Sequence, residues 1–297
     1  MADEDHYRLE LVRFSCACIA EPAHYAAMAS PRRPNIKAVI VSVYGTILEK
    51  MKPQTDADAR WQELWQERFG EPARLDLAAL NAATDAEVGR EEAVMRAAGI
   101  PNPIVFWPRA VTAALPELER LPPDARHDFL YIYAQLRSPT RAVTGAVLAL
   151  RQMHRRGLVL GIVSNGYPHT AVELALALEG NRGLAAAFLP VGLEPGHTEQ
   201  AAVAAAALSI FTRPLCFWGF AHGFGKPDPH VFCHLTTRLG LRGIRPEETL
   251  IVGDSEADDL APARTFGWQT WQLAPRPIPD VSCSGNWFSV TEWLALE

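Results

Sequence analysis

The sequence predicts an α/β fold: a Rossmann-like parallel sheet with helices on both faces, interrupted by an inserted all-helical block. Three observations lead there. Continuous β-branched runs such as Ala38–Val43 (AVIVSV) and Leu158–Val163 (LVLGIV) read as strands buried on both faces. From about residue 140, such runs alternate with helical stretches that end in glycine. Between the first strand and that alternation, residues 51–139 carry little β-branched content and much Ala, Leu, Glu and Arg. Alternating strands and helices imply parallel pairing with right-handed crossovers. Such sheets bind ligands at the carboxyl ends of their strands.

In chain order, residues 1–35 match no element the fold requires and are set apart as an N-terminal extension. Residues 36–50 and 140–297 make the α/β core, and 51–139 make the helical insertion. In the insertion, Trp61, Leu64, Trp65 and Phe69 fall at helical spacing, and six prolines from Pro101 to Pro123 cut the remainder into short helices. Thr140 is expected to N-cap a helix running to Arg156, with Gly157 as its stop. After the strand at Leu158–Val163, Pro168 opens the next helix. The Ala-rich stretch Thr198–Phe211 reads as an additional helix, and Leu215–Gly219 as a short strand. Asp228 and Pro229 open a helix that Gly240 ends; Thr249–Val252 is a strand, Glu256–Phe266 a helix and Trp268–Leu273 a strand. Ser289 and Glu292 have the spacing of a capping box for a final helix.

Composition excludes several function classes. The chain has 297 residues with 48% apolar content, enough for a full core. Its formal net charge is −6 with no basic block, which makes it a poor partner for nucleic acid or an anionic membrane. No run reaches about 18 uninterrupted apolar residues, so no membrane span is expected. Five cysteines without a zinc ladder read as reduced thiols, and the acidic start (Asp3, Glu4, Asp5) has the wrong sign for a secretory signal. The expected location is cytoplasmic.

Four strand ends carry polar clusters: Ser42-Val43-Tyr44-Gly45-Thr46, Ser164-Asn165-Gly166, a glycine-rich loop ending in Lys226-Pro227-Asp228, and Gly253-Asp254-Ser255 followed by Asp258 and Asp259. This ordered set resembles the haloacid dehalogenase-like (HAD) hydrolase superfamily over about residues 36–275, with the helical block where that family places a cap. The resemblance implies roles. Ser42, Tyr44 and Asp259 stand in catalytic positions. Thr46, Ser164, Asn165, Gly166 and Lys226 surround a phosphate. Asp254, Ser42 and the backbone carbonyl of Tyr44 stand where the family holds Mg²⁺. Physical chemistry supports part of this. A hydroxyl and free N–H groups leading into a helix suit an anionic oxygen. Lys226 is a fixed cation, and Asp254 is a hard oxygen ligand.

The first loop departs from the family pattern, which has Asp at the nucleophile position and a second Asp, or Tyr in dehalogenases, two residues on. Here those positions are Ser42 and Tyr44. An unassisted serine hydroxyl is a weak nucleophile, and a phenol with a pKa near 10 is a poor acid at neutral pH. One lost carboxylate also weakens an Mg²⁺ shell. The expected function is therefore binding of a small phosphorylated or carboxylated molecule, with hydrolysis lost or attenuated and Mg²⁺ held weakly. The alternatives are an active Mg²⁺-dependent phosphatase of small phosphate monoesters using a non-aspartate route and, less favoured, a haloacid dehalogenase. His169 and His222 are expected to be ordinary loop residues, Asp258 to face away from the site, and Trp107 and Arg109 to face the pocket.

Overall fold

The computed structural model describes residues 35–179 and 208–296. Six parallel strands form the main sheet: β1 (Ala38–Ser42), β4 (Val159–Ser164), β5 (Cys216–Trp218), β6 (Thr249–Gly253), β7 (Gln269–Leu273) and β8 (Ser284–Gly285), in the order β5-β4-β1-β6-β7-β8. β1 lies between β4 and β6, with Ala38 level with Val159 on one side and Thr249 on the other. The chain leaves β1 and β4 in the middle of the sheet, so their carboxyl ends open beside that of β6, and a crevice forms there.

The β-branched run at 38–42 is continuous because both faces are covered. Val39 and Val41 pack with Leu150, Met153 and Trp287 on one side. Ala38 and Ile40 pack with Val231, Phe232 and Leu235 on the other. Burial of each large aliphatic side chain contributes about 1.5–3 kcal/mol, so a polar residue among positions 38–41 would be costly and the pattern reads as uniform.

The helical block consists of α1 (Ala57–Phe69), α2 (Leu77–Ala97), α3 (Trp107–Ala114) and α4 (Pro123–Arg137). It packs around its own centre, where Trp61 lies against Trp65, Phe129 and Tyr133 with ring centroids 5.6, 5.6 and 6.0 Å apart. A two-stranded antiparallel ribbon, β2 (Leu48–Lys50) with β3 (Thr140–Ala142), carries the chain into and out of the block. A second tie joins residues 102–104 to the glycine-rich loop, where Ile104 N donates to Gly223 O and Gly225 N donates to Asn102 O, both at 3.0 Å.

Several sequence expectations are corrected. Thr140 lies in β3, not at a helix start, because its segment pairs with residues 48–50. The following helix, α5 (Ala146–Arg155), starts after Gly145, whose φ is 85°. The last helix (Trp287–Trp293) begins earlier than the Ser289 motif implies, since Asn286 caps it by accepting from the N–H groups of Phe288 and Ser289. The helix expected from Glu256 to Phe266 is a wide π-type turn at Glu256–Leu260 followed by α-helix at Ala261–Thr265. Residues 1–34 and the larger part of the helix expected at 198–211 lie outside the described residues. Among the described residues Cys216, Cys233 and Cys283 form no disulfide, and no helix is long and apolar enough to cross a membrane.

Candidate functional site

A cavity of about 430 Å³ sits at the carboxyl ends of β1, β4 and β6, beneath the helical block. Lys226 lies on one wall of its core end and is 7% exposed. Its Nζ donates to Ser42 Oγ at 2.8 Å and forms a short, buried ion pair with Asp259. Asn165 fixes the lysine's backbone from both sides, its Nδ2 donating to Lys226 O and its Oδ1 accepting from Lys226 N, each at 2.8 Å. Asp259 also accepts from Ser255 N at 3.2 Å. The cation is therefore held by a loop clamp and a carboxylate that is itself anchored.

Ser164, the last residue of β4, accepts from Gly166 N at 3.0 Å, which bends the chain toward α6 (His169–Glu179). Position 166 tolerates only glycine, because a Cβ there would lie 2.3 Å from Thr170 Oγ1 and 2.9 Å from Tyr44 Cε2. Gly45, at φ +79°, meets a comparable limit, since a Cβ would lie 2.0 Å from Asp254 Oδ2. Asp254 stands exposed at the cavity mouth and accepts from Thr46 Oγ1 at 3.3 Å. Partial burial, then the neighbouring Asp259, pushes its carboxyl above the usual range.

The opposite wall belongs to Tyr44, α6 and the helical block. Tyr44 turns its hydroxyl away from Lys226 and donates to Glu173 Oε2 at 2.5 Å, with Thr170 Oγ1 2.8 Å away. Gln135 of α4 donates to Glu173 Oε1 at 2.5 Å. Glu173 is 4% exposed, and burial pushes its carboxyl up to about 7. Burial and then Glu173 raise the Tyr44 phenol well above its ordinary value. His169 meets the edge of Trp107, with centroids 5.0 Å apart. Burial, then Lys50, lowers His169 to about 3, so its ring is neutral.

The structure brings Ser42, Tyr44, Ser164, Asn165, Gly166, Lys226, Asp254 and Asp259 to this one cavity. Thr46 is not on its wall. It is fully buried below Asp254, and its carbonyl accepts from Trp287 Nε1 at 2.8 Å. The Asn165 side chain, taken up by Lys226, leaves only backbone for an anion. Asp258, expected to face elsewhere, lines the cavity. Trp107 lines it too, whereas Arg109 is exposed and pairs with Glu91. His169 is a wall residue, while His222 stacks on Phe217 with centroids 4.3 Å apart, away from the cavity. Sequence reasoning missed Glu173 and Gln135. The signal for Glu173 was a lone carboxylate inside an apolar helical run, HTAVELALALE.

A sequence model described as haloacid dehalogenase-like hydrolase matches residues 36–267, well over half of the chain. The chain belongs to that family. Among solved structures, a 2-haloacid dehalogenase from Pseudomonas syringae pv. Tomato DC3000 aligns over 88% of this chain and 98% of its own, at 16% identity and a TM-score of 0.50. A HAD phosphatase from Thermococcus onnurineus aligns over 88% and 99%, at 17% identity and a TM-score of 0.45. The HAD-hydrolase YfnB from Bacillus subtilis, bound to magnesium, aligns over 88% and 99%, at 18% identity and a TM-score of 0.45. The Rhythmically expressed gene 2 protein of Drosophila melanogaster is 38% identical over 45 residues, and that match spans 15% of this chain and 17% of the fly protein.

Members of the superfamily generally use Mg²⁺. The residues here fit that ion poorly. Ser42 brings a neutral hydroxyl that already faces the Lys226 ammonium, and Asp259 is committed to the same ammonium. Asp258 is turned back onto Ser255, whose Oγ donates to it at 3.2 Å. Asp254 is left as the exposed carboxylate of this corner, bonded to Thr46 Oγ1. Among the described residues, no three acidic, histidine or cysteine side chains are grouped to hold a metal ion. A divalent cation requires more anionic oxygen than this corner supplies.

Proposed function

We propose that the protein binds the phosphate group of a small organic molecule in the family's pocket and does not hydrolyse it by the covalent route. The observation that carries this reading is the bond from Lys226 Nζ to Ser42 Oγ. An ammonium has donors only, so it cannot take the serine proton. Lys226 is also the only hydrogen-bond partner of Ser42 Oγ among the described residues. A serine without a base is not activated for attack. The leaving-group side fails as well, because the Tyr44 proton is directed to Glu173 and held more tightly than in a free phenol.

Anion capture needs neither lost group. The Ser164 hydroxyl, the backbone around Asn165–Gly166 before α6, and Lys226 all face the cavity. The missing carboxylate at position 42 removes repulsion against an incoming anion. Mg²⁺ at Asp254 is weak on this reading and is not required for binding.

The experiment measures turnover of p-nitrophenyl phosphate and a panel of phosphate monoesters with and without Mg²⁺, beside the melting temperature in inorganic phosphate. The expected result is no turnover and a higher melting temperature, since saturation at 100 times Kd stabilises by about 2.7 kcal/mol. Mg²⁺-dependent turnover that disappears in Asp254→Asn would instead support a phosphatase that activates water. That second reading is favoured by the two carboxylates, Asp254 and Asp258, on the cavity wall. Dehalogenation would require a carboxylate at position 42.

A further inference from the structure

The cavity is much larger than a phosphate group, and the wall supplied by β2, the helical block and α6 has its own chemistry. Ser42, Ser164 and Lys226 line it from the core strands and the glycine-rich loop, while β2, the helical block and α6 contribute Lys50, Asp85, Trp107, Arg137, His169 and Glu173. At about 430 Å³ the whole space lies in the range that holds small organic ligands. Four of those six side chains, Lys50, Asp85, Arg137 and Glu173, form hydrogen bonds or carry charge. Lys50 Nζ sits 4.6 Å over the Tyr44 ring, and Arg137 donates to Asp85 at 2.6 Å. Glu173 is held by Tyr44 and Gln135, each at 2.5 Å. The aromatic surface is small, since Trp107 is 4% exposed and stacked between Tyr133 and Tyr167 at 5.4 and 5.9 Å.

An alkyl or haloalkyl body pressed against this wall would remove water from ionised and hydroxyl groups and give nothing back. Hydroxyl groups both donate and accept, so they replace that water. Resting on the anion-binding reading, we propose that the ligand is a phosphate monoester whose organic part carries several hydroxyl groups. Its phosphate lies at Lys226 and its hydroxylated body contacts Glu173, Arg137 and Lys50. Glu173 is the main specificity-determining residue, because it joins a core loop through Tyr44 and a cap helix through Gln135 where the body must pass.

Calorimetric titration of the full chain separates this from the reading beneath it. Three probes are compared: inorganic phosphate, sorbitol phosphate and n-hexyl phosphate. The two esters share a six-carbon chain and differ in hydroxyl groups. Inorganic phosphate is expected to bind, and sorbitol phosphate to bind more tightly than n-hexyl phosphate by about tenfold or more, because a site built for hydroxyl groups rejects the analogue that lacks them. Glu173→Leu should reduce that ratio toward one. Lys50→Met, at an exposed position where folding is not at stake, should reduce it severalfold. Phosphate binding with equal ester affinities, with n-hexyl phosphate preferred, or with the ratio unchanged in both variants, overturns the proposal and leaves the anion-binding reading intact. Failure of inorganic phosphate to bind overturns that reading, and the proposal with it.

Discussion

Replacing Glu173 by Gln should remove a pH dependence of stability built into the cavity wall. In the folded protein, burial holds this carboxyl up to about 7, against 4.5 for an ordinary glutamate. Below pH 4.5, folded and unfolded chains both carry it protonated, and it adds no slope. As pH rises from 4.5, the unfolded chain ionises first, so the native state binds more protons and loses stability until about pH 7. At about 1.4 kcal/mol per pH unit, that interval amounts to about 3 kcal/mol. Gln stays neutral and can still bond to Tyr44 and Gln135, so the variant lacks this decline. His169 has the opposite sense, because its neutral ring contributes stability that is lost as pH falls from 6.5 toward about 3. It is present in both proteins and cancels in their difference. Urea unfolding at pH 4.5 and pH 8 measures the effect. Wild-type stability minus variant stability should fall by about 3 kcal/mol between the two pH values. Parallel profiles would refute the assignment of Glu173 as a buried, neutral carboxyl.

Three further outcomes follow from the same geometry. Ser42→Asp adds an anionic oxygen beside Asp254 and should raise Mg²⁺ affinity at least tenfold by calorimetry; unchanged affinity would separate Ser42 from the metal corner. Asn165→Ala removes two hydrogen bonds to the Lys226 backbone and should cost about 2 kcal/mol in urea unfolding, with weaker phosphate binding in the same protein. Gly45→Ala forces a side chain into φ +79° and against Asp254. It should cost about 1–2 kcal/mol and show a displaced Asp254 in a crystal structure.

The strands were legible because burial on both faces leaves one chemical option. Ala38 and Ile40 face one set of helices while Val39 and Val41 face the other, so no polar residue interrupts the run. Helix starts at 140 and 289 were misread for a related reason. Thr140 and Ser289 have the right side chains for caps, but capping is decided by whether the backbone is already engaged, and β3 and Asn286 had settled that. The loop residues gathered at one cavity because strand ends in a parallel sheet share an edge. Their partners were another matter. Lys226 and Ser42 are 184 positions apart, and Tyr44 and Glu173 are 129 apart. Local spacing carries no information about such pairs.

That distance bears on how the first loop's departures are understood. Read locally, Ser42 and Tyr44 are losses of two carboxylates. In space, Tyr44 keeps its proton and donates a hydrogen bond to Glu173 of α6, so a carboxyl stands on the cavity wall beside a loop that has none. This group lies on the side facing α4 rather than beside Ser42 and Lys226. A carboxyl in that position is poorly placed to attack phosphorus or to complete a metal shell, and well placed to contact whatever is attached to the phosphate. Asp254, Asp258 and Asp259 still line the cavity, and Glu173 adds a carboxyl on the α4 side, where on the proposed reading the organic part of the ligand lies. On that reading, the placement of Glu173 is the physical reason for expecting selectivity among phosphate esters without their cleavage.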